Sequence, residues 1–349
     1  MNGKTVFVGM SGGVDSSVAA TLLVEQGYKV VGVYMKNWSK DLPGMKCPWA
    51  EDLADAKRIA VKLGIDFEVW DFEKEYRERV VDYMIAEFKK GNTPNPDVMC
   101  NQEIKFKLFY EKAIRRGADF IATGHYARIS DGKLCRAVDE NKDQTYFLYR
   151  ISNEAAAKTL FPVGGMLKPE VKKLAEEKGL HNAYKKESMG VCFVGEVGMK
   201  DFLKEYIDIQ PGEIREIGSE KVVGYHDGAV FYTIGQRHGL YLSGVSGEVN
   251  DGLPYYVVEK DLSRNIVYVS KDLNHAAIWT KELELRDVFL REPVEGSELM
   301  VRLRHRAELI PVRLEGEKLI FEKEIKRPAS GQSAVLYAGE VCVGGGIIA

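Results

Sequence analysis

The chain has 349 residues, 45% of them hydrophobic and 29% charged, with a formal net charge of −3 and five cysteines. At this length two or three domains are expected, the composition excludes a disordered or fibrous chain, and no apolar run nears the roughly 18 residues of a membrane span. Five scattered cysteines and a start too short for a signal peptide imply a reducing, cytoplasmic setting. Near-neutral charge means that any RNA contact needs a local basic surface.

The first 130 residues alternate between two hydrophobic periods. Short β-branched runs predict strands over 5–9, 30–35, 67–72 and 120–124. Between them, apolar spacing near 3.6 predicts helices over 16–26, 51–63, 74–89 and 103–116. Gly27, Gly64 and Gly117 sit where these helices need a left-handed terminal residue. The alternation implies an α/β fold with a doubly wound parallel sheet, whose ligands lie beyond the carboxyl ends of the strands. From about Gly195 the pattern changes to turns and short strands, among them 222–225, 230–234, 255–259 and 266–270, after a short helical piece at 202–206. The last stretch is nearly all strand with Gly/Pro turns. We expect three domains: a catalytic domain over 1–196, a small β-rich domain over 197–273 and a β-barrel over 274–349.

The string Met10-Ser11-Gly12-Gly13-Val14-Asp15-Ser16 follows the first strand at Gly9 and opens the first helix. Paired glycines let the backbone approach an anion, and the helix start adds partial positive charge. Ser11 and Ser16 supply hydroxyls, while Asp15 would cap the helix or help hold Mg²⁺ on a phosphate. Neither the Walker A nor the dinucleotide glycine pattern is present. Gly-Gly alone is an ordinary strand-to-helix turn; the whole string is much more specific.

In this context the string resembles the loop of the PP-loop ATP pyrophosphatases, which cleave ATP between its α- and β-phosphates. Further blocks narrow the resemblance. They are Asn95-Pro96-Asp97-Val98-Met99-Cys100-Asn101, Glu103-Ile104-Lys105-Phe106-Lys107, Ala122-Thr123-Gly124-His125-Tyr126-Ala127-Arg128, and Asn141-Lys142-Asp143-Gln144. Gly190–Gly195, Thr233–Arg237 and the terminal Val343–Ile348 complete the set. In this order they resemble the tRNA-specific 2-thiouridylases along nearly the whole chain.

The chemistry that such a resemblance implies asks for few groups. Replacing a ring oxygen by sulfur requires AMP transfer from ATP onto that oxygen, then attack by a sulfur nucleophile. A thiol near pKa 8.5 is only slightly ionised at neutral pH, so its site must favour the thiolate. Cys100, in a Pro-rich loop just before the helix expected near Glu103, would be helped by that helix start and by Lys105 and Lys107. Asp97 would act as general base. Cys192 lies among small residues in Gly-Val-Cys-Phe-Val-Gly. Both cysteines also suit a buried structural role, and with Asp97 or Cys47 they could hold an iron–sulfur cluster. Cys135 and Cys342 read as core residues of strands; Cys47 is ambiguous.

The resemblance implies that Cys192 carries the sulfur as a persulfide and that Cys100 releases it through a disulfide. It places Asn95, Pro96 and Asp97 at the target base, and Met35 and Gly124 at ATP with Gly9–Ser16. It assigns tRNA contacts to His125, Lys142, Asp143, Gln144, Arg304, His305 and Gln332. The implied cofactors are ATP and Mg²⁺, with no dedicated protein metal site. The implied partners are tRNAs with a wobble uridine (lysine, glutamate and glutamine acceptors) and a persulfide-donating sulfur carrier or cysteine desulfurase. Arg302, Arg304 and Arg306 alternate, and period-two spacing on a strand would put all three on one face as a phosphate-binding stripe. His305, Glu187 and Met189 depart from that family's usual residues. Rival readings are a PP-loop enzyme that aminates its substrate, or an RNA-binding or sulfur-carrier protein with a degenerate nucleotide site.

Overall fold

In the computed structural model, residues 3–41, 47–186, 198–242, 253–294 and 298–349 are described. Strand β1 (Thr5–Gly9) alternates its side chains between two cores: Phe7 joins Trp70 and Phe109, whereas Val6 and Val8 join Val18 and Leu23. Burial on both faces is what a parallel central strand needs, and each large apolar side chain removed from water contributes roughly 1.5–3 kcal/mol. Around β1 stand β2 (Lys29–Lys36), β3 (Asp66–Asp71), β4 (Phe120–Ala122) and β7 (Thr159–Leu160). All pairings are parallel, in the order β3-β2-β1-β4-β7. Helices α1 (Val14–Glu25), α2 (Trp49–Leu63), α3 (residues 73–89), α4 (residues 96–115) and α5 (Lys168–Glu177) pack around this sheet. Gly27, Gly64 and Gly117 take positive φ angles of 81°, 65° and 88° after their helices, as expected.

Helix α4 begins earlier than its apolar period suggests. Asn95 caps it, its side chain accepting from the Asp97 and Val98 amides at 3.1 and 3.3 Å, with Pro96 at the first helical position. Cys100 is therefore inside the helix, its N–H bonded to the Pro96 and Asp97 carbonyls, and not in a loop ahead of a helix start. The expected help from an adjacent helix terminus is withdrawn, because the first-turn amides belong to Asp97 and Val98, where the Asn95 side chain already caps them. Residues Cys100–Phe109 are wound in the wider π spacing, as is Arg77–Val81 within α3.

A central sheet follows, in the order β10-β9-β8-β12-β11, from β8 (Gly212–Glu216), β9 (Val222–His226), β10 (Tyr241–Leu242), β11 (Tyr256–Asp261) and β12 (Ile266–Ser270). The strand expected over 230–234 is instead a tight 3₁₀ turn at Ala229–Phe231, entered from Gly228 at φ 144°. The chain ends in a closed six-stranded antiparallel barrel, β13 (Trp279–Leu290), β16 (Lys318–Lys326), β15 (Ile310–Glu315), β14 (Leu299–Arg302), β17 (Ser333–Ala338) and β18 (Val341–Ile348), closed by β13–β18 pairing. A hairpin of the catalytic domain, β5 (Arg128–Ser130) and β6 (Lys133–Cys135), extends the barrel sheet beside β18.

The barrel overturns the arginine stripe. Strand β14 ends at Arg302, and the following turn puts Arg306 at φ +63°. Period-two geometry is thus lost after Arg302. That residue is buried and ion-paired, while Arg304 and Arg306 are exposed.

Candidate active site

Residues Gly9–Ser16 form a tight loop at the carboxyl end of β1. The Met10 amide donates to the Val33 carbonyl at 2.8 Å, which fixes the loop's exit from the sheet. Beyond it, Ser16 Oγ accepts from the Ser11 amide at 3.2 Å and donates to the Gly13 carbonyl at 3.1 Å. Gly12 takes φ +77°, and a Cβ there would lie 2.3 Å from the Asp52 carbonyl oxygen at the start of α2. Gly124, just after β4, approaches equally closely: its Cβ would lie 2.5 Å from the Ser16 nitrogen. Behind Gly9 sits Met35, whose Cε would be 2.9 Å from an added Cβ. The structure thus brings Gly9, Met10, Ser11, Gly12, Gly13, Val14, Asp15, Ser16, Met35 and Gly124 together where β1, β2 and β4 end. Packed from behind, a loop with Ser11 exposed and a helix start at Val14 suits an anion.

Asp15 does not cap α1; Gly13 holds the cap position and makes no side-chain bond there. Its carboxylate turns aside, accepting from Lys168 Nζ at 2.6 Å and Tyr126 OH at 3.0 Å. Sequence reasoning missed Lys168. It is 7% exposed and opens α5, where its own backbone amide donates to Asp139 at 2.9 Å. A lysine at a helix start opposes the dipole, and that anomaly is the signal the sequence carried. Asn182 was missed as well: its amide nitrogen donates to the Gly12 carbonyl and Ser17 Oγ at 2.9 and 3.0 Å.

A second cluster meets the first at Thr123–His125. His125 Nδ1 lies 2.7 Å from Thr123 Oγ1, and its Nε2 lies 3.4 Å from Lys105 Nζ on α4. Burial, then the Lys105 charge, hold the imidazole well below its usual pKa, so it is neutral and Nε2 accepts from Lys105. The rings of Phe106 and Phe161 pack around it at 5.6 and 6.3 Å. Two turns earlier on α4, burial raises the Asp97 carboxyl above its usual range, opposed by the Lys105 charge. Lys105 thus faces both a carboxylate and a neutral imidazole.

Cys100 is 4% exposed, in the core between α3 and α4. Cys192, with Glu187 and Met189, lies outside the described residues, and so does any Cys100–Cys192 pairing. Cys135 and Cys342 are buried in β6 and β18, and burial pushes the Cys342 thiol up to about 12. Cys47 is also buried, its sulfur 3.7 Å from the Trp38 carbonyl and its thiol raised by burial. Among the described residues, no three His, Cys, Asp or Glu side chains are placed to hold a metal ion.

The positions assigned to RNA contact divide by environment. Arg304 is exposed; Lys142, Gln144, His305 and Gln332 are half-buried. Gln144 Oε1 accepts from the Tyr126 amide at 2.9 Å, and Gln332 Nε2 donates to the Thr93 carbonyl at 2.6 Å. His305 packs against Phe147, the rings tilted by 43° with centroids 4.5 Å apart; burial, then Arg306, lower its pKa to about 4. Asp143 lies inside, 1% exposed, accepting from Arg302 Nη1 at 2.9 Å, Thr145 Oγ1 at 2.9 Å and the Ala137 amide at 3.2 Å.

No described helix is long and apolar enough to cross a membrane. Three family models match in succession: a tRNA methyl transferase HUP domain over residues 4–196, a tRNA methyl transferase PRC-barrel domain over 200–271 and an aminomethyltransferase beta-barrel domain over 280–348. The tRNA-specific 2-thiouridylase MnmA of Idiomarina loihiensis is 46% identical over 361 residues, covering 99% of this chain and 96% of that one. The tRNA-specific 2-thiouridylase MnmA 1 of Geobacillus kaustophilus is 48% identical over 360 residues, covering 100% and 96%. Among solved structures, a 4-thiouridine synthetase–RNA complex with bound ATP aligns with a TM-score of 0.35 at 18% identity over 53% of this chain and 43% of that one, too little to carry an argument. Nearly end-to-end identity of this order, with three domain models in register, places the chain in the tRNA-specific 2-thiouridylase family.

Proposed function

We propose that the protein is a tRNA-uridine 2-sulfurtransferase that uses ATP to thiolate the wobble uridine. The observation that carries this reading is the junction at Thr123–His125, where Gly124 abuts the Ser16 amide and His125 meets Lys105 of the Asp97–Cys100 helix. An anion loop and a helix bearing a carboxylate and a thiol are thereby held against one short segment.

ATP lies with its phosphates on Gly9–Ser16 and its adenosine between Met35 and Gly124. Mg²⁺ arrives on the triphosphate as part of the substrate, beside Asp15, whose carboxylate Lys168 holds in place. The uracil O2 attacks the α-phosphorus and pyrophosphate leaves, so that the oxygen becomes part of a good leaving group. Asn95, Pro96 and Asp97 hold the base, with Asp97 as proton acceptor. The terminal sulfur of a Cys192 persulfide then attacks C2 and AMP departs. Attack of the Cys100 thiolate on the Cys192 sulfur leaves the new sulfur on the base and forms a Cys100–Cys192 disulfide, which a thiol reductant reopens. The persulfide comes from a sulfur-carrier protein or a cysteine desulfurase. His125, Lys142, Gln144, Arg304, His305 and Gln332 meet the tRNA, which carries the lysine, glutamate or glutamine anticodon, and Asp143 supports them from beneath.

The test uses unmodified tRNA, Mg²⁺, a persulfide donor and ATP labelled at the α-phosphate. AMP, pyrophosphate and 2-thiouridine should appear only with that tRNA. Cys100→Ser and Cys192→Ser should each abolish thiolation with the fold intact. ADP in place of AMP, tRNA-independent AMP or full thiolation by either variant refutes the reading.

A further inference from the structure

The helix that carries Asn95, Asp97 and Cys100 is preceded by a short segment, Gly91–Pro94, gripped from all three parts of the molecule. From the catalytic domain, Glu87 on α3 is 2% exposed and accepts from Asn92 Nδ2 at 2.8 Å; Arg286 of the barrel donates to the same carboxylate oxygen. From the barrel, the Ser330 carbonyl accepts from the Thr93 amide at 2.7 Å, and Gln332 Nε2 donates to the Thr93 carbonyl at 2.6 Å. Gly331 between them, at φ +89°, lets that turn approach so closely that a Cβ would lie 2.9 Å from Asn92 Cβ and 3.0 Å from the Thr93 nitrogen.

The central domain supplies the remaining hold. Lys260, near the end of β11, donates from Nζ to the Gly91 carbonyl at 2.8 Å, and Leu262 packs where a Cβ of Gly91 would stand. Among the described residues no carboxylate pairs with this ammonium, and burial lowers its pKa to about 8. A half-buried charge facing one backbone carbonyl is a poor way to gain stability, because desolvation offsets the single hydrogen bond. Two other cations beside this segment, Arg286 and Lys90, share the Glu87 carboxylate, which offsets their charge. The Lys260 contact therefore serves placement of the segment that it touches.

We propose that Lys260 is a positioning residue for sulfur transfer: through the Gly91 carbonyl it fixes, from the central domain, the lead-in to the helix bearing Asn95, Asp97 and Cys100. The inference rests on the reading above that Asp97 and Cys100 act on the base. It gives the central domain a part in the reaction besides linking its neighbours.

The experiment compares wild type with Lys260→Met, which keeps the apolar stem and removes the donor, in the full chain with tRNA, ATP and a persulfide donor. Thiolation kcat should fall by about ten- to a hundredfold, the scale of a misplacement near 1 Å, with KM for ATP and tRNA within about twofold. The melting temperature should not drop, and Lys260→Arg should recover most of kcat. If the Met variant does not fold, Lys260→Leu, which also lacks a donor, is read the same way. A kcat within about twofold of wild type, a rise confined to the tRNA KM, or a parallel loss of stability and every kinetic constant overturns the proposal. Cys100→Ser is run alongside: if it thiolates normally, the reading of the helix fails; if it is dead while Lys260→Met is unimpaired, the positioning proposal alone fails.

Discussion

Asp143→Asn separates an interior carboxylate from an RNA-contacting one. The Asp143–Arg302 pair lies between the catalytic domain and β14, with side chains 1% and 8% exposed. The two partners are unequally supported. Asp143 also accepts from Thr145 Oγ1, the Thr145 amide and the Ala137 amide, at 2.9, 3.3 and 3.2 Å. Arg302 has that carboxylate and the Tyr337 ring, 5.5 Å from its guanidinium carbon, while its Nε has no partner. Neutralising Asp143 leaves a buried guanidinium without a counter-charge, a loss of about 3–5 kcal/mol. Arg302→Met leaves a carboxylate that keeps three donors, for which about 1–3 kcal/mol is expected. In urea unfolding, Asp143→Asn should therefore lower the midpoint more than Arg302→Met, and Asp143→Asn combined with Arg302→Met, which keeps an acceptor for the Thr145 and Ala137 amides, should regain most of the loss. Filter binding of tRNA to the folded fraction should change little. A fully stable Asp143→Asn protein with weakened tRNA binding would refute the assignment of this pair to the domain interface.

Three further outcomes follow from geometry. Gly124→Ala drives a methyl to 2.5 Å from the Ser16 nitrogen, so ATP-dependent AMP formation should fall about a hundredfold, while Gly165→Ala, with open space around it, should leave it unchanged; equal activity of the two variants counts against the Gly124 approach. Lys105→Met removes the charge that opposes the burial-raised Asp97 carboxyl, so the acid limb of the thiolation pH profile should move to higher pH; an unmoved limb dissociates Lys105 from Asp97. His305 has a folded pKa of about 4, and in the unfolded chain it binds a proton near 6.5. Its contribution is complete above pH 6.5 and is lost as pH falls toward 4, about 2 kcal/mol between pH 7 and 5. His305→Phe should remove that share of the acid sensitivity in urea titrations, and an unchanged pH slope sinks the argument.

The parallel sheet was legible because its strands are β-branched runs cut off by glycines: 5–9, 30–35 and 67–72 agree with β1, β2 and β3 to within one residue at each end. Local chemistry was ambiguous at Pro96. In Asn-Thr-Pro-Asn-Pro the prolines read as loop, yet Asn95 and Pro96 are a cap and a first helical residue, which moves Cys100 into the helix. Period-two spacing at Arg302–Arg306 was not enough to extend β14, since tertiary pairing with Asp143 takes Arg302 inward. Lys168 and Asn182 reach the phosphate loop from 153 and 165 or more residues away, and such distances leave no local pattern. The site's chemical residues lie in short contiguous strings and were readable; the residues that hold those strings in place come from elsewhere in the chain.

The β5–β6 hairpin bears on how the molecule can be divided. It belongs to the catalytic domain by position, yet it lies against the barrel's last strand, where Val341 pairs with Cys135 and the Arg136 amide donates to the Glu340 carbonyl at 2.9 Å. Cutting near residue 196 would strip the hairpin of its neighbour and bare the rim of β18 on the other fragment. Both new edges would present unpaired backbone groups ready to recruit another chain. Fragments made at the domain borders should therefore self-associate when kept apart and should reassemble when mixed, so a split version of this protein would behave as a complementation pair and not as two free-standing modules.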